Sequence, residues 1–394
     1  MIRVAFLINF SKEYKGGINY IKNLLYTNCI TKFPDLEFYV FVPSNIEQEY
    51  IDLFSPYAKV IYTDIFKTFT IPWFLNKAFN RAFKYQLPLY MLFKKHKINV
   101  VSHSFFWGNY RSLKLINWIP DFQRLHFPEL WTKEQLDNIT NIDNNIVKYS
   151  DVVILSSYDA LNDYKKFVPE KLRKARVLQF VSQPGSISDV NKLYPQVRKK
   201  YNLLDEFFYL PNQFWSHKNH IVVLKAINLM VKSGLNPILV TTGVMNDFRG
   251  NNQNLVIIKD YIEKNNLTKN ILLLGLIPYN EVLILMRKCV AVINPSFFEG
   301  WSSTIEEAKS IGKTVVLSDI PVHHEQNPNH AFYFNPRDEK ELAHILTNLW
   351  SNRDVLLIEP TEKIKEELKD ELLRRTRAFS ENYYKIIKSL MQNN

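Results

Sequence analysis

Cysteine is almost absent from this chain: Cys29 and Cys289 are the two in 394 residues. Standing so far apart, they argue against a disulfide framework or a Cys-rich zinc site and suit a reducing compartment. No segment supplies the roughly 18 uninterrupted apolar residues that a membrane-spanning helix needs. The first nine residues, Met1 to Asn9, are apolar but too short to span, and they lack a small-residue cleavage site. They read as a first buried strand rather than a signal peptide. There is no Gly-x-Gly-x-x-Gly fingerprint, which weakens a nicotinamide reading. Internal repeats of solenoid length and low-complexity tracts are missing as well. The net charge is +11, which nucleic acid, an anionic membrane surface, a phosphorylated substrate or simple solubility could each explain. No helix-turn-helix or base-stacking motif supports nucleic acid as the partner.

What is present is enough apolar material, 46% of residues, for two sizeable cores. Short buried runs alternate with longer amphipathic ones. Strands are expected at 2–8, 38–42, 60–62, 100–102, 115–119 and 152–155, then in a second series at 207–210, 237–242, 271–274, 290–293 and 315–318. Helical stretches between them give the βαβ pattern of parallel sheets covered on both faces. The expected division is residues 1–190, 191–374 and a final helix, with a linker near 181–205. From about 375 to 391 that helix carries Phe379, Tyr383, Ile386, Ile387 and Leu390 on one stripe. In such sheets ligands sit outside the carboxyl ends of the strands.

The most informative segment follows the strand 290–293: Asn294-Pro-Ser-Phe-Phe-Glu-Gly-Trp-Ser-Ser-Thr-Ile-Glu-Glu-Ala-Lys-Ser-Ile-Gly312. Ser303 and Glu306 have capping-box spacing, so a helix should begin near Ser303. Its free N–H groups and positive dipole end suit a phosphate, and Gly300 permits close approach. Glu299 before the helix and Glu307 in its first turns could each accept hydrogen bonds from two hydroxyls, as in a sugar or ribose. Glu306 reads as a cap.

This stretch resembles the Glu-x7-Glu signature of retaining glycosyltransferases of the GT-B fold, the glycosyl transferases group 1 related to glycogen synthase and sucrose synthase. Pro-Ser-x-x-Glu-Gly, Glu-Ala-x-x-x-Gly and the continuation Lys313-Thr-Val-Val-Leu-Ser-Asp319 match too. The resemblance implies an α/β chain of two Rossmann-like domains facing across a cleft, with the last helix packing back on the N-terminal, acceptor-binding domain. It also implies a nucleotide-diphosphate sugar as donor substrate and no separate cofactor. Glu299 would contact the transferred sugar and Glu307 the donor ribose. The backbone of Gly300, Trp301, Ser302 and Ser303 would hold the distal phosphate.

Other segments carry further implied roles. In Leu210-Pro-Asn-Gln-Phe-Trp-Ser-His-Lys218, Lys218 matches the second member of a basic pair that contacts the donor diphosphate; Gln213 stands where the arginine is usual. Gly16 and Gly17 resemble the family's first glycine loop. Gly275 and Ile277 lie in the loop that meets the nucleobase through its backbone. Where many relatives have a His-Asp pair near the reacting carbon, this chain has Pro120-Asp121, so Asp121 is the candidate there and His126 the next. His103 ends an earlier strand. His323, His324 and Glu325 form no metal spacing and read as capping or packing residues. No Asp-x-Asp motif is present, and the resemblance implies a metal-independent reaction.

In the segment Trp73 to Lys84, Leu75, Phe79, Ala82 and Phe83 share one helical face, with Lys77, Arg81 and Lys84 opposite. Such a helix can rest on anionic lipid; the same pattern also fits a core-packed helix with a solvated basic face. The expectation is a cytoplasmic enzyme, peripheral to the inner face of the membrane, moving a sugar to a glycan or lipid-linked acceptor. A nucleotide-sugar 2-epimerase of the same fold and a non-catalytic glycan-binding or nucleic-acid-binding protein are the alternatives.

Overall fold

The computed structural model describes residues 1–8, 15–83, 85–106, 108–110, 112–183, 190–204, 206–247 and 253–392. They form two compact units. The first comprises Met1–Phe122, Lys133–Val181 and Leu373–Asn394; the second comprises Gln123–Thr132 and Ser182–Leu372.

The first unit is built on seven strands: β1 (Ile2–Leu7), β2 (Leu36–Pro43), β3 (Lys59–Thr63), β4 (Val100–Ser102), β5 (Lys114–Ile119), β6 (Val152–Leu155) and β7 (Ala175–Val177). They pair in parallel in the order β3-β2-β1-β4-β5-β6-β7. The second unit carries β8 (Phe208–Leu210), β9 (Leu239–Thr241), β10 (Ile271–Leu273), β11 (Val292–Asn294), β12 (Val315–Ser318) and β13 (Ala331–Phe334). Its sheet is parallel in the order β10-β9-β8-β11-β12-β13. Each sheet thus reverses strand order at its first strand, as doubly wound Rossmann-like sheets do.

The reason lies in the runs themselves. A strand covered by helices on both faces must be apolar at every position. In the second unit the side chains alternate between two cores: Phe208, Leu210, Ile293 and Val316 enter one, while Tyr209, Val292, Val315 and Leu317 enter the other. That alternation is the period of two of a pleated strand. All eleven expected strands form within a few residues of their bounds. The edge strands β7 and β13 are additional. Both are short and only partly buried, so neither carries a continuous apolar run.

Three expectations are corrected. The segment read as a linker contains a helix, Val190–Tyr201, whose Val190 and Val197 lie seven apart on one face and enter a core of the second unit. The rest of that reading, at 184–189 and Asp205, lies outside the described residues. The last helix starts earlier than expected and runs Glu362–Gln392, with Phe379, Tyr383, Ile386, Ile387 and Leu390 buried. Its part from Leu373 onward belongs to the first unit, where Tyr383 donates a hydrogen bond to Ser102 Oγ at 2.8 Å. Finally, the core-packed reading of the basic helix fails. The helix Ile71–Phe83 has no buried residue, and Phe74, Leu75 and Phe83 are exposed, as are Phe69 and Ile71 beside them. Lys84 is outside the described residues.

Candidate active site

The strand order of the second unit places its reversal between β8 and β11, and the loops leaving these two strands are the place for a ligand. They are bound together by asparagines. Asn219, held at a left-handed φ of 53°, donates through Nδ2 to the carbonyls of Pro295 at 3.1 Å and Pro336 at 2.8 Å. Asn294, at the end of β11, accepts from Asn212 Nδ2 at 2.9 Å and from Ser296 Oγ at 2.7 Å. Its own Nδ2 donates to Ser302 Oγ at 2.9 Å.

The loop after β9 joins this crevice at Gly243. Its φ is +147°, and an added Cβ would lie 2.4 Å from the Asn212 carbonyl oxygen. Only glycine allows that approach. Gly243 N–H donates to the carbonyl of Gly275 at 2.9 Å, so the loop after β10 is tied in as well. Gly275 itself has φ +69°, and Ile277 is buried. Gln213 is half-buried beside Gly243.

At the centre Lys218 Nζ donates to Glu299 Oε1 at 2.7 Å, with the two side chains 13% and 8% exposed. Ser296 Oγ donates to the same oxygen at 2.7 Å. Burial pushes the Glu299 carboxyl up, but the Lys218 charge beside it prevails, with the hydrogen bonds from Lys218 and Ser296, and its pKa lies below the ordinary value. A buried pair of this kind is an anion paired with a cation at a place where a charged ligand could exchange partners with either.

Behind Glu299 the chain turns into the helix Ser303–Ser310. The capping box does not form as expected. The cap is Ser302, whose Oγ accepts from Ile305 N–H at 3.4 Å, one residue before the expected position. Glu306 is buried and accepts from Gln326 Nε2 at 3.1 Å, so its role is to hold the next segment rather than to cap. Gln326 also accepts the Ser302 backbone N–H at 3.1 Å. That N–H, one of those expected to face a phosphate, is therefore already engaged. Gly300, Trp301 and Ser303 lie in the same turn. Glu307 is buried on this helix and accepts from the Tyr279 hydroxyl at 2.8 Å. Burial raises its pKa to about 7, the Tyr279 hydrogen bond acting in the other direction. The two acids of one motif are thus driven in opposite directions.

Residues 196–371 match the glycosyl transferases, group 1. A 163-residue stretch is 31% identical to the O-antigen chain mannosyltransferase RfbU of Salmonella typhimurium, covering 41% of this chain and 42% of that protein. The chain thus spans about two fifths of the length of that curated relative. Over its whole length it superposes on solved glycosyltransferase-fold structures. Sucrose-phosphate synthase of Thermosynechococcus elongatus matches with a TM-score of 0.68 at 14% identity, covering 100% of both chains. Anabaena HepE, solved in complex with UDP and glucose, matches with a TM-score of 0.67 at 14% identity, covering 99% of this chain and 100% of that one. These likenesses establish the GT-B fold.

The remaining candidate residues fall in different places. His126 belongs to the second unit, contrary to the expected boundary at 190. Its ring lies 5.0 Å from that of Phe298, the neighbour of Glu299, and Phe127 packs near Phe297 and Phe298. These ring contacts join Gln123–Thr132 to the second unit. Asp121, Gly16 and Gly17 belong to the first unit. The two glycines open the helix Lys15–Thr31, and nothing lies within 4 Å of a Cβ added at Gly16. Residues 9–14 before them are outside the described residues. His103 is a core residue: it is buried between the Tyr20 hydroxyl at 3.0 Å and Ser102 Oγ at 2.7 Å, and burial lowers its pKa to about 3.

Sequence reading missed the part played by Asn294. His323 is fully buried, with Nδ1–H donating to the Ser318 carbonyl at 2.8 Å; Ser318 Oγ donates in turn to the Ser296 carbonyl. Its burial fits the packing role expected of it, but it also lies close enough for the Glu299 charge to act on it. The available signal was an asparagine at the carboxyl end of a central strand, where a polar side chain finds buried partners. Among the described residues no group of His, Cys, Asp and Glu could hold a metal ion, and no helix is long and apolar enough to cross a membrane.

Proposed function

We propose that this chain is a retaining glycosyltransferase that moves a sugar from a nucleotide-diphosphate donor to a glycan or lipid-linked acceptor in cell-surface polysaccharide synthesis. The observation that carries this reading is the Lys218–Glu299 pair at the sheet's reversal point, beside the helix that also carries Glu307. Breaking the anomeric bond puts negative charge on the leaving diphosphate and positive charge on the sugar. Lys218 and the N-terminal end of the helix Ser303–Ser310 stabilise the first, which lets the reaction proceed without a metal. Glu299 reads hydroxyls of the transferred sugar and Glu307 those of the ribose, as carboxylates do well. His126, whose ring lies 5.0 Å from that of Phe298 beside Glu299, is the candidate to meet the sugar; Asp121, five residues before His126, is the next candidate. Gln213, Gly275, Ile277, Gly300, Trp301 and Ser303 complete the donor surface.

The relative named as an O-antigen chain mannosyltransferase and the neighbour that holds UDP and glucose both support a nucleotide sugar and a polysaccharide product. The exposed apolar helix Ile71–Phe83 with Lys77 and Arg81 supports a seat on the anionic inner face of the membrane. The test is transfer from a panel of nucleotide sugars to a lipid-linked saccharide in excess EDTA, with the anomeric configuration of the product read by NMR. Retention with undiminished turnover is expected. Inversion, or conversion of donor to an epimer without acceptor, would replace this reading.

A further inference from the structure

Tyr279 opens the helix Tyr279–Lys288 immediately after the loop Gly275–Pro278. The residue is 46% exposed, yet its hydroxyl turns inward and donates to Glu307 Oε1 at 2.8 Å. Among the described residues this is the one hydrogen bond to the Glu307 carboxylate, which is otherwise enclosed by the protein. A buried carboxylate with a single donor is under-satisfied as an anion, since two or three donors are usual for a stable one. The result is visible in its pKa, raised to about 7 by burial despite the Tyr279 bond. One oxygen is fixed, and the other has acceptor capacity to spare.

We propose that Tyr279 is a positioning residue for donor binding: its hydroxyl holds Glu307 Oε1 so that Oε2 faces a ribose hydroxyl of a nucleoside diphosphate. The assignment rests on the donor site proposed above. It gives the half-exposed tyrosine a function beyond packing, since its hydroxyl donates to the Glu307 carboxylate. It also explains how an acid of this pKa can be an effective acceptor near neutral pH. The tyrosine keeps the anion accessible, and the arriving ribose hydroxyl adds the donor that the site lacks.

The test is calorimetric titration of the full chain with UDP, GDP, ADP and CDP, each beside its 2′-deoxy counterpart, and with dTDP. Wild type, Tyr279→Phe, Glu307→Gln and the double variant are compared from pH 6 to 9. For the nucleotide that binds, the ribo form is expected to bind more tightly than the deoxy form. Tyr279→Phe and Glu307→Gln should each weaken the ribo form about tenfold and bring the ribo-to-deoxy ratio towards one. The double variant should be no weaker than Glu307→Gln. In Tyr279→Phe the half-maximal pH for binding should move upward, because the lost hydrogen bond was lowering the Glu307 pKa. If Tyr279→Phe keeps the wild-type ratio and pH midpoint while Glu307→Gln weakens binding, the positioning role is overturned and the donor site stands. Equal weakening of ribo and deoxy forms also overturns it. If no nucleotide binds the wild type, the donor site itself falls, and this assignment with it.

Discussion

Lys218 and Glu299 stand 81 positions apart in sequence and meet at 2.7 Å in the interior of the second unit. Neither partner can be removed without leaving the other as a buried, uncompensated group. Lys218→Ala should therefore lower stability by about 3–5 kcal/mol and reduce transfer by about 10²-fold or more. Glu299→Gln keeps the volume and the hydrogen-bonding ends, and should melt closer to wild type while losing transfer to a similar degree. Thermal unfolding with steady-state kinetics on both variants separates the structural cost from the chemical one.

The two acids give opposite dependences on pH. Glu299 is held below its ordinary pKa of 4.5. Its contribution to stability is present above that value and is lost as pH falls through the lower folded pKa. Glu307 is raised from 4.5 to about 7. The folded state therefore binds its proton more tightly, and stability contributed below pH 4.5 is lost as pH climbs to about 7. Donor binding needs the anion, so affinity should rise with pH across neutrality. Glu307→Gln should flatten both the binding limb and the stability change between pH 4.5 and 7, as measured by calorimetry and thermal melts.

Gly243 tests the packing of the loops. Its positive φ and the 2.4 Å approach of a built Cβ to the Asn212 carbonyl leave no room for a side chain. Gly243→Ala should destabilise the second unit by about 2–4 kcal/mol and weaken nucleotide binding, since the Asn212–Gln213 backbone must move. Circular-dichroism melts alongside nucleotide titration check this. A variant as stable as wild type would mean that the loops yield easily.

The helix Ile71–Phe83 offers a separate test. Replacing Phe74 and Phe83 with glutamate should leave the melting temperature within about 1–2 °C, because neither ring is buried. Co-sedimentation with vesicles of phosphatidylglycerol and phosphatidylcholine should fall several-fold, and added salt should weaken wild-type binding. Retention of full vesicle binding by the double variant would place the contact elsewhere.

Much of this was legible in the chain because burial on both sheet faces leaves a simple trace. Runs such as Val152–Leu155 and Val315–Ser318 form strands at their expected bounds. Glu299 with the helix after Gly300, and Lys218 after β8, could be singled out because each lies in the loop that leaves its own strand. What escaped was long-range. The Ser302 N–H is taken by Gln326, 24 residues on, and no local pattern records that. The cap shifted from Ser303 to Ser302 because adjacent serines offer the same hydroxyl to the same helix end. Asn294 became a hub only when Asn212, 82 residues earlier, came to it. The segment Gln123–Thr132 looked like part of the first sheet's series, yet the rings of His126 and Phe127 pack against Phe297 and Phe298 of the second unit.

The central claim is that a sugar diphosphate displaces the Lys218–Glu299 contact and shares both groups. Isothermal titration of a nucleotide-sugar panel against wild type, Lys218→Ala and Glu299→Gln addresses it most directly. One donor should bind the wild type and lose about a hundredfold in affinity in Lys218→Ala, while Glu299→Gln weakens the nucleotide sugar more than its parent nucleoside diphosphate. Binding of every donor with equal affinity to all three proteins, or to none of them, would contradict the account.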